Sequence, residues 1–336
     1  MFANLGGEGR PITPDFEAAM REALRSSSPA VAAAVGHLMG ASGKRLRPLL
    51  VHLAASFGDA PPTAVRDVAV AAELIHLASL VHDDILDGAA HRRGQAALHV
   101  LHGEGAATLV GDFLFSRAFG LLARHAHFGV VATLTAAIAR MCEGELDQRA
   151  RRGDLAVTAG EYLERAANKT GALMAACARA GAQVAGLPEP WQDCLHRYGL
   201  YLGCAFQVID DVLDFTAETA TMGKPVRLDL RRGVITLPVI CALDHPACGP
   251  GLRRLLASLN GEGDDRVAEA CRLVAMSGGL DRAADAATGL LRNARSHLDG
   301  LPSGAARAAL EHLAVQLAAR LPTSEVRGGM PTAVRS

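Results

Sequence analysis

The sequence predicts an all-α protein, and three observations carry that expectation. Half of the 336 residues are hydrophobic, Ala and Leu dominate and aromatics are only 4%, a composition that packs many helices through small side chains. Long apolar segments with helical periodicity are separated by short Gly/Pro punctuation. Alternating runs of Val, Ile and Thr, which half-buried strands need, are missing. A chain of this length could hold two average domains, yet large helical folds also reach it as one unit. We expect a single helical domain over 13–322, a flexible N-terminus (1–12), a flexible tail (323–336) and an exposed loop at GlyGluGlyAspAsp, 261–265.

Taken in order, the first chemically suggestive segment is GKRLRP at 43–48, which sets Lys44, Arg45 and Arg47 between a glycine and a proline, ahead of an apolar helix. The apolar run AVAAELIHLASLV predicts a buried helix, continued by VHDDILDG, and Gly88 reads as its stop. HRRG at 91–94 follows within a few residues, so Arg92 and Arg93 must lie near that helix end in any fold. Further on, Lys169-Thr170 offers a charge beside a hydroxyl. GLYLGCAFQVI predicts a second buried helix, ending in VIDDVLDF, and GKP at 223–225 follows by one short loop. Arg45 and the Arg231-Arg232 pair read as surface charge.

The two acidic runs share the pattern Asp-Asp-x-x-Asp: Asp83, Asp84 and Asp87 in one, Asp210, Asp211 and Asp214 in the other. On a helix, positions i and i+4 are neighbours and i+1 lies about 100° round, so each run can aim carboxylates at one region of space. Both runs fall near helix C-termini, where the macrodipole is already negative and clustered carboxylates repel one another. Hard divalent cations relieve both penalties, above all Mg²⁺ bridging carboxylates to a substrate's phosphates. A single run would pass as a solvated acidic turn; two at the ends of apolar helices point to a metal-diphosphate site. Arginine forks and lysines then supply direct contacts to phosphate oxygens.

Composition excludes other classes. A net charge of −1 gives no global field for nucleic acid or an anionic membrane surface. Seven scattered cysteines with no C-x-x-C pair argue for reduced thiols in the cytoplasm and against a disulfide framework or a zinc site. The thirteen histidines include no H-E-x-x-H, and His91, His99 and His102 read as surface or satisfied core residues. No secretory signal is evident, and ALMAACARAGAQVAGL is interrupted by Arg179, so no transmembrane segment is expected. There is no G-x-S-x-G, P-loop or dinucleotide turn. Metal-assisted departure of diphosphate requires none of these.

Read in order, GKRLRP, ELIHLASLVHDDILD, HRRG, GDFLFSRAF, GEL-x-Q, KT, FQVIDDVLD, GKP and DL-x-x-G-x-x-TLP resemble the trans-isoprenyl diphosphate synthases, the polyprenyl synthetase family, from about residue 40 to 240. The resemblance implies an all-α, isoprenoid synthase-type helical bundle around a central cavity, homodimeric, in which the two DDxxD motifs face each other across Mg²⁺, three ions with substrate bound. It implies all six aspartates as metal ligands and catalytic residues, with Lys169 also catalytic. An allylic diphosphate would be held through Arg92, Lys169, Thr170, Gln207 and Lys224, and isopentenyl diphosphate through Gly43, Lys44, Arg47, His76 and Arg93. Metals ionise the allylic C–O bond, the homoallylic alkene attacks the cation, and a proton is lost to the departing diphosphate to leave a trans double bond.

The chain also departs from the family pattern. ArgArgGlyGlnAla stands where R-R-G-x-P is usual, Arg227 replaces a glycine after GKP, and Val234 stands where a lysine is common. The resemblance implies a growing tail that runs down this helix past Ser79, Ala78 and Ile75, four, five and eight positions before Asp83; relatives with short products place aromatics at the first two, where Ser79 and Ala78 leave room. A medium or long product is expected, with geranylgeranyl diphosphate as the alternative. A terpene cyclase is disfavoured by scarce aromatics and by the second Asp-Asp-x-x-Asp. A partner subunit of a heteromeric synthase is kept open by Val234.

Overall fold

The computed structural model describes residues 14–40, 45–125, 127–216, 228–258, 264–324 and 327. Its described residues fall into two compact units, each assembled from separate stretches of chain: one from residues up to Ala139 with Leu173–Leu200 and Ser296–Leu313, the other from Arg140–Ala172, Tyr201–Arg295 and Ala314 onward. Both are helical, as expected for an all-α chain.

The first unit contains α1 (Pro14–Ala23), α2 (Pro29–Gly40), α3 (Leu46–Ala55), α4 (Pro62–Leu86), α5 (Leu98–His102), α6 (Glu104–Ala123) and the start of α7 (Phe128–Ala150). α4 is its axis. Proline opens this helix at its first position, and α3 and α6 pack against it, so residues Val68 to Ile75 are buried almost without interruption. It ends where the sequence predicts: Asp87 caps it, and Gly88 takes a left-handed φ of 58° with its N–H on the Ile85 carbonyl. α6 can approach because Gly111 has no side chain; a Cβ there would meet His82 Nε2 at 2.2 Å. After α4 the chain makes a two-stranded antiparallel ribbon, β1 (His91–Arg92) with β2 (Gln95–Ala96), the one sheet among the described residues. Its tight turn puts Arg93 at φ 52°. α9 (Ala172–Val184) crosses α3 with Gly181 at the contact, where a Cβ would lie 2.2 Å from the Val51 carbonyl oxygen.

The second unit contains α8 (Ala159–Ala166), a π-turn at Ala167–Gly171, the C-terminal half of α10 (Glu189–Thr216), α11 (Leu228–Arg231), α12 (Leu237–Leu243), α13 (Gly249–Ala257), α14 (Asp264–Met276), α15 (Gly279–Ser296) and the end of α16 (Ala305–Ala318). α8 opens with a capping box, Thr158 and Glu161 exchanging side-chain and backbone hydrogen bonds of 3.3 and 2.8 Å. The expected loop at 261–265 is corrected at its end: Asp264 and Asp265 begin α14, because carboxylates favour a helix N-terminus. Of the functional candidates, Gly43, Lys44, Lys224 and Arg227 lie outside the described residues.

Candidate active site

In the first unit, the end of α4 presents Asp83, Asp84 and Asp87. Asp84 is buried and accepts hydrogen bonds from Arg92 Nε, at 2.8 Å, and from Arg92 Nη2. This pair ties the ribbon back to the helix end, so Asp84 serves as an anchor for Arg92. Asp83 and Asp87 are half-buried.

Two turns earlier on α4, His76 is surrounded by cations. Its imidazole is held well below the usual histidine range, first by burial and then by the charges of Arg47, Arg93, Arg92 and Arg45. The ring is therefore neutral and carries one N–H to donate. Of these arginines, Arg92 is engaged by Asp84, and the positive charge of Arg47 and Arg93 beside a neutral donor suits an anion. Arg45 is corrected: its side chain is only 10% exposed, and it donates to Glu73 at 2.8 Å and Glu17 at 3.2 Å. With its backbone in the left-handed region (φ 48°), Arg45 balances the buried Glu73 one turn before His76. It is not surface charge, and nothing local in the sequence marks Glu73 as its partner. Nearby, burial, only partly offset by Arg47, pushes the Cys177 thiol up to about 12, so it stays protonated and inert.

In the second unit, the end of α10 presents Asp210, Asp211 and Asp214. Asp211 is buried, accepting from the Tyr162 hydroxyl and from Gln207 Nε2 at 2.8 Å. Gln207 Oε1 in turn accepts from the Thr170 hydroxyl at 2.7 Å. The chain Thr170, Gln207, Asp211, Tyr162 fixes the orientation of the Gln207 amide. Burial, and then the charge of Asp229, push the Asp211 carboxyl well above the usual carboxylate range. Lys169 and Thr170 sit in the π-turn, an irregularity frequent at functional sites. Lys169 Nζ pairs with buried Glu145 at 2.7 Å, and Gly203 on α10 touches the turn so closely that a Cβ would stand 2.6 Å from Gly171 Cα.

Asp210, with a side chain 45% exposed, pairs with Arg320 at 2.9 Å. Val234 is buried, and Arg165 Nη2 donates to the carbonyl of the next residue, Ile235, at 2.9 Å, while its guanidinium lies over the Tyr162 ring. Sequence reasoning missed Tyr162, Arg165 and Arg320, and it quoted Glu145 only inside a motif. Their partners are remote in sequence, and no periodicity marks them.

Among the described residues no group of three or more His, Cys, Asp or Glu is arranged to hold an ion by itself. Mg²⁺ takes one or two carboxylates and completes its shell with water and substrate phosphates. Asp210 already carries a cation in the form of Arg320, a stand-in for a charge it would share with a metal. The donor set is all oxygen, and it fits.

Residues 28–274 match the family described as Polyprenyl synthetase. The chain belongs to the polyprenyl synthetase family. It is 36% identical over 307 residues to heptaprenyl diphosphate synthase component 2 of Geobacillus stearothermophilus, across 90% of this chain and 94% of that one. To the chloroplastic solanesyl-diphosphate synthase 2 of Oryza sativa subsp. japonica it is 35% identical over 301 residues, 88% of this chain and 73% of the other. A solved polyprenyl synthase from Caulobacter crescentus CB15, complexed with calcium and isoprenyl diphosphate, superposes with a TM-score of 0.86 at 35% identity, covering 92% and 94% of the two chains. This polyprenyl synthetase family member is a prenyltransferase with the all-α isoprenoid synthase fold, as the motifs predicted.

Proposed function

We propose that this enzyme condenses isopentenyl diphosphate head-to-tail with an allylic diphosphate, in a Mg²⁺-dependent reaction, to give an all-trans polyprenyl diphosphate of medium or long chain. The observation that carries this reading is the buried His76, near the charges of Arg47 and Arg93, on the same helix as Asp83 and Asp87. An anion site and a cation site share one rigid element. Asp83 and Asp87 in the first unit, and Asp210 and Asp214 in the second, would hold Mg²⁺ ions; Asp84 and Asp211, whose oxygens already accept from Arg92 and from Tyr162 and Gln207, would orient them. Mg²⁺, when bound, supplies Lewis-acid stabilisation of the leaving diphosphate. Arg92, Lys169, Thr170, Gln207 and Lys224 hold the allylic diphosphate. Gly43, Lys44, Arg47, Arg93 and the His76 N–H hold isopentenyl diphosphate. Departure of the first diphosphate is then favoured by preorganised charge, with no protein nucleophile.

Product length is read from α4. Ile75 and Ala78 are fully buried, Ser79 donates its hydroxyl to the His76 carbonyl at 2.8 Å, and no Phe, Tyr or Trp stands in the two turns before Asp83. One turn rises about 5.4 Å, comparable to a prenyl unit, and the small side chains of Ala78 and Ser79 favour roughly thirty to fifty carbons. The heptaprenyl and solanesyl names of the relatives support that range.

The enzyme acts in the cytoplasm as a homodimer. α6 is long and apolar enough to cross a membrane by length and composition alone, but it packs one face on α4 and carries Asp112 and Arg117. Its other face leaves Leu109 70% exposed, and Phe128 at the start of α7 is 83% exposed. A second copy covering these residues would account for them. A second reading, association with a different polypeptide, is favoured by the name component 2 of one relative. Purified protein with Mg²⁺, isopentenyl and farnesyl diphosphates tests the proposal. Linear products longer than fifteen carbons are expected, turnover only after adding a second polypeptide would favour the heteromeric reading, and cyclic products would refute it.

A further inference from the structure

Among the described residues, Arg320 pairs with Asp210, a carboxylate proposed to hold metal in the second unit. It lies in the turn just after α16, its N–H on the Leu317 carbonyl at 3.1 Å, and its side chain is 13% exposed. Nη2 donates to Asp210 Oδ1 at 2.9 Å, and the guanidinium carbon rests 5.1 Å from the centroid of Phe206, one turn before Asp210 on α10. Nη1 is buried with no acceptor among the described residues.

These facts describe a cation that is retained but poorly satisfied. A guanidinium offers five donors, and here one half-exposed carboxylate takes part of them while a buried donor goes unanswered, a standing cost of desolvation. A purely structural arginine would be expected to meet carbonyls or a second carboxylate, as Arg45 does with Glu73 and Glu17. Arg320 instead meets a side chain near the end of α10 whose chemistry suits a divalent ion.

We propose that Arg320 is a built-in counter-ion that occupies Asp210 in the metal-free enzyme and must leave it before the second acidic run can take metal. The inference rests on the reading of Asp210 as a metal ligand. Two cations compete for one carboxylate, so metal alone binds weakly at this run, and metal arriving with diphosphate displaces the arginine. The released guanidinium, with Nη1 already lacking an acceptor, is then available to an oxyanion. Arg320 thus acts through Asp210 as a positioning residue, coupling metal loading to the presence of substrate.

The test is Mn²⁺ binding to full-length, substrate-free protein, followed by the electron paramagnetic resonance signal of the free ion. Arg320→Gln is expected to bind Mn²⁺ about fivefold more tightly than wild type, the scale of one partly exposed ion pair. Arg320→Lys, which keeps the charge, should stay near wild type, and the double variant Asp210→Asn/Arg320→Gln should lose the gain. Unchanged or weaker binding in Arg320→Gln overturns the proposal, as does a gain that persists without Asp210. Measuring Mn²⁺ with inorganic diphosphate on Asp210→Asn separates the two levels of the argument. Wild-type affinity there would remove Asp210 as a metal ligand and this inference with it; weakened affinity together with an unmoved Arg320→Gln would sink the counter-ion role alone.

Discussion

Gly203→Ala tests how the second half-site is built. The added Cβ would stand 2.6 Å from Gly171 Cα and 3.1 Å from both Gly171 N and the Thr170 carbonyl oxygen. Carbon atoms rest at about 3.5–4.0 Å, so α10 and the π-turn must separate by about 1 Å. All three atoms are backbone, which leaves no side chain to yield. The hydrogen bond from the Thr170 hydroxyl to Gln207 Oε1, now 2.7 Å, spans the same gap. A further 1 Å would stretch it to about 3.7 Å, beyond useful geometry. Overpacking of this kind costs about 1–3 kcal/mol of stability, which a folded helical protein can survive. Misplacing Lys169 and Thr170 by about 1 Å is expected to lower turnover by about 10²-fold. Steady-state kinetics with saturating isopentenyl and farnesyl diphosphates, alongside thermal unfolding, would measure both effects. A kcat within about twofold of wild type in a variant whose melting temperature has fallen would refute the idea that the Gly171–Gly203 contact positions the Lys169-Thr170 pair.

Other perturbations address the remaining parts of the site. Asp83→Ala removes a carboxylate that acts on the leaving charge and should lower kcat by about 10²-fold or more, and near-normal turnover in saturating Mg²⁺ would contradict the two-cluster mechanism. Ala78→Phe should shorten the product without abolishing condensation, because the position is a turn away from Asp83; an unaltered chain length on chromatography of the dephosphorylated products would overturn the reading of α4. Val234→Lys should lower the Michaelis constants by adding a charge-assisted contact, whereas unchanged constants would show that Arg165, already on the Ile235 carbonyl, fills the role. Glu73→Gln leaves the nearly buried Arg45 with Glu17 alone and should cost about 3–5 kcal/mol, read as a lowered denaturation midpoint; a neutral effect would deny that this pair holds α3 against α4.

The two Asp-Asp-x-x-Asp runs, their helices and the stop at Gly88 were determined by the sequence itself, because helix periodicity, caps and i,i+4 neighbours are set by residues a few positions apart. The nearness of Arg92 and Arg93 to Asp84 was also legible, since a few residues of chain cannot carry them far. Charge alone could not tell which ionic groups are buried or whom they meet. Arg45 and Arg92 look alike in sequence, yet one balances Glu73 in the packing of α3 on α4 while the other anchors a ribbon to Asp84. Within each acidic run the carboxylates are chemically identical, and only the packing of Tyr162 and Gln207 around Asp211, and of Arg320 against Asp210, gives them different work. A partner far along the chain leaves no local trace, because its choice is made by which helix faces meet once the apolar surface is buried.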